Sequence, residues 1–87
     1  MTRVHIPSPL YSYTGGATQV EASGSTLEEI VDTLEARFPG LRFRIVDEQG
    51  RIREHIRFFV DSDLAPQLAC AVEPGQEVHI LCALSGG

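Results

Sequence analysis

The sequence contains no lysine, no tryptophan and no long hydrophobic run, and each absence narrows the class of protein. All seven basic residues are arginine, which reflects either codon bias or a chain that offers no side-chain amine to an activated acyl group. No apolar run approaches the roughly 20 residues of a membrane-spanning helix. The N-terminal segment 1–13 lacks the apolar core of a secretory signal. We therefore expect a cytoplasmic protein without membrane contact.

Length and charge exclude further classes of function. The 87 residues allow one small domain, with little room for a catalytic pocket of its own. Hydrophobic residues make up 43% of the chain and charged residues 22%, so a folded domain is expected rather than a disordered segment. The formal net charge of −5 argues against a nucleic-acid partner held through phosphate contacts. Cys70 and Cys82 are too few for a zinc or iron–sulfur site, and we expect free thiols.

The hydrophobic pattern predicts a hairpin, a helix, a strand, a turn region and a final strand. Alternating residues predict strands over 3–6 and 17–22, joined as a hairpin, and further strands over 56–60 and 77–83. Residues 41–46 fit either a helical turn or a strand. Residues 47–50 predict a turn, and residues 64–72 a loop or short helical turn that buries Leu68 and Val72.

The helix has the clearest local signal. Residues 25–28, Ser-Thr-Leu-Glu, fit a capping box with Ser25 as the N-cap and Glu28 as its partner. Pro39 and Gly40 end the helix. Its apolar face consists of Leu27, Ile30, Val31, Leu34 and Phe38.

Packing this helix across one face of a mixed sheet predicts an α+β fold. The expected core consists of the apolar residues that face inward from the sheet and the helix. They are Val4, Ile6, Val20, Leu27, Ile30, Val31, Leu34, Ile56, Phe58, Val60, Val78 and Ile80.

Nothing within the domain predicts catalysis or a bound metal or cofactor. The three histidines, His5, His55 and His79, have no serine or cysteine presented on a strand–turn–helix elbow, so we expect surface or hydrogen-bonded side chains. Asp61 and Asp63 lack the further ligands of a calcium loop. The glycine pair 15–16 is too short to cradle a phosphate. We expect a protein that is not an enzyme.

The unusual feature of the sequence is its last four residues, Leu84, Ser85, Gly86 and Gly87, which follow the final predicted strand. One interpretation is a frayed terminus. The other is chemical, because a glycine tail has no β-carbon and can thread a narrow channel in an ATP-binding partner. Its α-carboxylate would then attack the α-phosphate of ATP and become an acyl adenylate.

With this tail and this order of elements, the sequence resembles the ThiS/MoaD family of ubiquitin-like sulfur carriers, and within it the CysO-like branch of actinobacteria. The resemblance lies in segments 4–7, 13–16, 22–27, 77–81 and 83–87, and it covers essentially the whole chain. It implies a β-grasp domain over residues 1–83, with about four to five strands packed on one main helix. A flexible tail, residues 84–87, would follow.

The resemblance implies a carrier. An E1-like adenylyltransferase of the ThiF/MoeB type would use ATP and Mg²⁺ to adenylate Gly87, which would become a thiocarboxylate. A synthase would accept the sulfur in the biosynthesis of cysteine, molybdopterin, thiamine or a thiosugar. Leu84, Ser85 and Gly86 would thread into the active site of the partner, and the carrier alone would be a monomer. The alternatives are a ubiquitin-like modifier joined to target lysines through Gly87, or a non-covalent interaction domain.

Partner docking is expected on the sheet face that points away from the helix. Alternation places Arg57 and Phe59 there from one strand, and His79 and Leu81 from the last strand. Together with Leu10 from the first loop, these residues would form an apolar patch beside the tail, and exposed apolar patches mark partner surfaces. The alternative is that loops of the domain cover Phe59 or Leu81.

Overall fold

The computed structural model describes residues 1–83, in which a mixed five-stranded sheet packs against one long helix. The strand order is β2-β1-β5-β3-β4. No helix among these residues is long and apolar enough to cross a membrane. The strands are β1 (Thr2–His5), β2 (Gln19–Ala22), β3 (Ile56–Val60), β4 (Asp63–Ala65) and β5 (Val78–Cys82). The helices are a 3₁₀-helix (Ser8–Tyr13), α1 (Leu27–Arg37) and α2 (Leu41–Ile45).

The first and last strands lie side by side at the centre of the sheet. β1 pairs with β5 in parallel, with Val4 opposite Val78. β2 extends the sheet on one side as the antiparallel hairpin partner of β1. On the other side, β3 pairs antiparallel with β5, and Phe58 lies opposite Ile80. Because side chains alternate along each strand, these register pairs place one set of apolar residues against α1.

The helix α1 begins one residue later than the capping box predicts. Thr26 is the N-cap, with extended backbone, and its hydroxyl accepts from the Glu29 amide at 3.2 Å. The Glu29 carboxylate accepts from both the amide and the hydroxyl of Ser25. The predicted pair of Ser25 and Glu28 is therefore wrong by one position. The cause is a contact distant in sequence, because Thr26 forms a β-bridge with Ala71 that holds it extended.

The segment 41–46 forms α2, a helix of five residues. The Glu35 carboxylate accepts hydrogen bonds from the Gly40 amide at 3.0 Å and from the Arg42 amide at 2.8 Å. These bonds hold the pKa of Glu35 below its ordinary value. A carboxylate from α1 thus satisfies the first free amides of α2. Of the two alternatives for residues 41–46, the structure therefore has the helical turn and not the strand.

Strand β4 overlaps the start of the segment 64–72, where sequence analysis predicts a loop or short helical turn. Its three residues pair antiparallel with β3 through a tight turn at Asp61, which adopts a φ of 54°. Leu68 and Val72, farther along the same segment, are buried as predicted. A strand this short shows too little alternation to be predicted from sequence.

All twelve residues expected in the core are buried, and the structure adds others to them. Leu10 is one of these additions, since only 4% of its surface is exposed. The expected exposure of Leu10 beside the tail is therefore wrong. The 3₁₀-helix that follows Pro7 turns this side chain into the core. The other additions are Ala22, Leu41, Ile45, Val46 and Ala65.

Candidate functional site

The sheet face that points away from α1 carries a continuous group of side chains from three neighbouring strands. Phe59 on β3 lies opposite His79 on β5 and opposite Leu64 on β4. Arg57, two residues before Phe59, lies opposite Leu81. We call these five residues the open-face patch. Sequence analysis places four of them on this face and misses Leu64, because it misses β4.

The open-face patch presents apolar surface to solvent. Leu64 is 55% exposed and Leu81 is 49% exposed, while Phe59 and His79 are half-buried. The guanidinium of Arg57 donates to the Glu54 carbonyl oxygen at 2.6 Å, so it is held along its own strand. No loop of the described residues covers Leu81, so the alternative that loops of the domain cover this side chain is excluded. Its role in docking stays a prediction.

A second group of polar side chains borders the patch where β1 meets β5. The rings of His5 and His79 stack with centroids 4.2 Å apart and planes 4° apart. Nε2 of His5 lies 2.5 Å from Oε1 of Glu77, which accepts its hydrogen. This hydrogen bond, supported by the nearby charge of Arg3, holds the pKa of Glu77 below its ordinary value.

Asp61 holds the chain in place immediately before β5. Its carboxylate accepts from the Glu77 amide at 3.0 Å and from the Gln76 side chain at 3.3 Å. Its own amide donates to the Glu77 carbonyl oxygen at 2.7 Å. These bonds fix the backbone immediately before β5 and explain the acidic residue at this turn without a calcium loop.

The strand that leads to the tail ends close to a free thiol. The Ala83 amide donates to the His55 carbonyl oxygen at 2.7 Å, and this bond extends the pairing of β5 with β3 by one residue. Burial raises the pKa of the Cys82 thiol, which keeps it protonated. Cys70 and Cys82 are both free and half-buried, as expected.

The four predicted tail residues, Leu84, Ser85, Gly86 and Gly87, lie outside the described residues, so their roles stay predictions.

Comparison with known proteins decides the family. The model of the ThiS family matches residues 4–87. The chain belongs to the ThiS family. Within it, the chain is 35% identical over 89 residues to the sulfur carrier protein CysO of Mycobacterium tuberculosis, a match that covers 97% of this chain and 96% of that relative. The predicted resemblance to the CysO-like branch is confirmed.

Solved structures of similar proteins agree on the fold. The crystal structure of the Amycolatopsis orientalis BexX/CysO complex matches with a TM-score of 0.92 and 34% identity over the full length of both chains. The crystal structure of Mycobacterium tuberculosis CysO matches with a TM-score of 0.90 and 32% identity, over 97% of this chain and all of that one. The predicted α+β class and β-grasp fold are therefore confirmed.

Proposed function

We propose that this chain is a sulfur carrier that carries its sulfur as a thiocarboxylate on Gly87. The observation that supports this most strongly is the match to the sulfur carrier protein CysO over 97% of the chain. The match to the family model also runs to residue 87 and therefore includes the glycine pair. In this function the chain is a substrate of other enzymes and needs no catalytic group of its own.

The chemistry at Gly87 has two steps. An E1-like adenylyltransferase of the ThiF/MoeB type binds ATP with Mg²⁺, and the Gly87 carboxylate attacks the α-phosphate and displaces pyrophosphate. A sulfide equivalent then attacks the carbonyl carbon of the acyl adenylate, AMP leaves, and a thiocarboxylate remains. A synthase takes this sulfur for a small molecule of the cysteine, molybdopterin, thiamine or thiosugar type.

The tail and the open-face patch have separate tasks in this proposal. Leu84, Ser85 and Gly86 form a narrow connection through which Gly87 reaches the active site of the partner, since glycine has no β-carbon to clash there. The open-face patch binds the partner surface, because it groups exposed apolar side chains on β5, the strand that leads to the tail, and on the neighbouring strands. Leu10 is buried and is not part of this surface.

The test is the intact mass of the chain after incubation with an activating enzyme, ATP, Mg²⁺ and a sulfide donor. We expect a mass gain equal to the exchange of one oxygen for one sulfur, located in the C-terminal peptide. Deletion of Gly86 and Gly87 should remove the gain while the circular dichroism spectrum of the domain is unchanged. The same gain in the deleted variant, or no gain in the full chain with several competent activating enzymes, would contradict the proposal.

A further inference from the structure

We propose that His5, Glu77 and His79 form a binding site for one divalent zinc ion on the open face of the sheet. The inference does not depend on the tail or on sulfur chemistry. It rests on the position of three ligand side chains on β1, on β5 and immediately before β5, on their mutual distances and on the way Asp61 holds the backbone of Glu77.

The strand geometry brings the three side chains to one place. Glu77 immediately precedes β5 and His79 is the second residue of that strand, so their side chains, two residues apart, point to the same face. His5 lies directly opposite His79 in the parallel ladder of β1 with β5. Two ligands spaced i, i+2 at the beginning of β5 and a third from β1 therefore surround one side of the proposed ion.

The distances suit a small ion after a modest adjustment. The three side chains each offer a ligand atom, and these atoms lie within 4.8 Å of one another. Ligand atoms of a tetrahedral zinc site, with bonds of 2.0–2.2 Å, lie about 3.4 Å apart. The three side chains are half-buried, and those of His5 and Glu77 are 29% and 42% exposed, which leaves them room to move together.

Zinc binding requires two specific changes at the imidazoles. A metal binds in the plane of an imidazole ring, and the rings of His5 and His79 are parallel, so one ring must rotate out of the stack. The Nε2 proton that His5 gives to Glu77 must move to Nδ1, which frees the Nε2 lone pair for the metal. The Glu77 carboxylate then loses its hydrogen bond from His5 and gains a bond to the metal.

The ligand set and its surroundings favour zinc. Two imidazoles and one carboxylate form a known catalytic-type zinc set, with water in the fourth position, and zinc imposes no geometry through its d electrons. The backbone of Glu77 is held at both its amide and its carbonyl by Asp61, which orients one ligand in advance. Arg3 lies near Glu77 and opposes the ion by its charge, whereas the Asp61 carboxylate, which accepts from the Glu77 amide, favours it.

Calorimetric titration of zinc chloride into the full chain tests the site, with Cys70 and Cys82 changed to serine so that thiols do not bind the metal. We expect one zinc per chain, and an affinity at least tenfold weaker for His79→Ala or Glu77→Gln. The matched control is His55→Ala, because His55 is exposed and lies outside the ligand cluster. Equal affinity in His79→Ala, or equal weakening in His55→Ala, would overturn the proposal.

A second readout does not depend on the stability of the variants. In two-dimensional NMR spectra of the same Cys70→Ser/Cys82→Ser chain, zinc should shift resonances of residues 5, 77 and 79 and the imidazole signals of two histidines. The signals of His55 should stay in place. Shifts centred on any other part of the domain, or no shifts at millimolar zinc, would overturn the site.

Discussion

At the scale of single residues, Gly24 lies where the connection between β2 and α1 passes close to the helix. Its φ is +155°, and a β-carbon built there would lie 2.8 Å from the Ile30 nitrogen and 2.9 Å from the Glu29 β-carbon. The backbone nitrogen of Ile30 and the backbone of Glu29 belong to the first turn of α1, so neither can move without disturbing the helix. This glycine lets the chain pass directly against the start of α1.

We predict that Gly24→Ala lowers the free energy of unfolding by about 3 kcal/mol, because backbone strain and overpacking each cost about 1–3 kcal/mol. Urea denaturation followed by circular dichroism measures the change. The matched control is Gly50→Ala, which also has a positive φ, +78°, but has no atom within 4 Å of the added carbon. It should cost about 1 kcal/mol from strain alone. An equal loss in both variants would contradict the steric explanation.

At the scale of elements, strands β3, β4 and β5 together build the open-face patch. Leu81 is the member best suited to a test, because it is 49% exposed and its removal leaves the core untouched. Phe43 on α2 offers a comparison, since it is 59% exposed but belongs to a helix and packs beneath the Arg53 guanidinium, 4.7 Å from its ring. Both side chains are large, apolar and exposed, yet only one lies on the proposed docking face.

We predict that Leu81→Ser weakens binding to an activating enzyme at least tenfold, because burying a leucine at an interface contributes roughly 1.5–3 kcal/mol. Phe43→Ser should leave the affinity unchanged. Calorimetry or surface plasmon resonance with the purified adenylyltransferase measures both. Wild-type affinity in Leu81→Ser, or the same loss in Phe43→Ser, would exclude the open-face patch as the docking surface.

Elements with a strong local pattern can be predicted from this sequence, whereas those fixed by distant contacts cannot. Alternation predicts β3 at its observed bounds, and helical periodicity predicts the buried face of α1, since both depend on neighbouring residues alone. The start of α1 is shifted by one residue because Thr26 pairs with Ala71, a partner 45 positions away in the chain. Leu10 is buried through a 3₁₀-helix that no local periodicity indicates.

The candidate sites also differ in whether local sequence patterns or distant contacts determine them. The side-chain alternation of β3 and β5 indicates four residues of the open-face patch, and the glycine pair is visible in the sequence itself. The cluster of His5, Glu77 and His79 depends on the parallel register of β1 and β5, which join across most of the chain. A sequence pattern shows that these residues face one side of a strand, but it does not show which strands are neighbours.

At the scale of the whole molecule, four carboxylates among residues 1–83 have pKa values below their ordinary ranges through hydrogen bonds made in the folded state. The donors are the Ser25 amide for Glu29, the Gly40 amide for Glu35, the Arg51 amide for Asp47 and the His5 ring for Glu77. The unfolded chain lacks these bonds and therefore binds protons more readily at acidic pH. Folding is favoured wherever these groups are ionised.

We predict that the urea midpoint is constant above the ordinary values of 4.5 for glutamate and 3.8 for aspartate, and falls as pH drops below them. The sign of this effect follows from the lowered pKa values. The stability that these carboxylates contribute is fully present above the ordinary pKa values of the unfolded chain. It is lost as the pH falls through the lower pKa values of the folded chain. A Glu29→Gln/Glu35→Gln variant should be less stable at pH 6 and lose less stability between pH 6 and pH 3. A midpoint that stays flat over this range, or an equal loss in the variant, would contradict this cause.

The parallel pairing of β1 with β5 has a consequence for synthesis of the chain on the ribosome. β5 is the last element of the domain to be translated, and it lies between β1 and β3 in the finished sheet. Without β5, no strand of this sheet order joins the pair β1–β2 to the pair β3–β4, and each pair has an unpaired edge. A chain truncated before β5 therefore lacks the centre of the sheet. Because residues 84–87 follow β5 almost directly in the chain, such a truncated chain can neither complete its sheet nor carry Gly87.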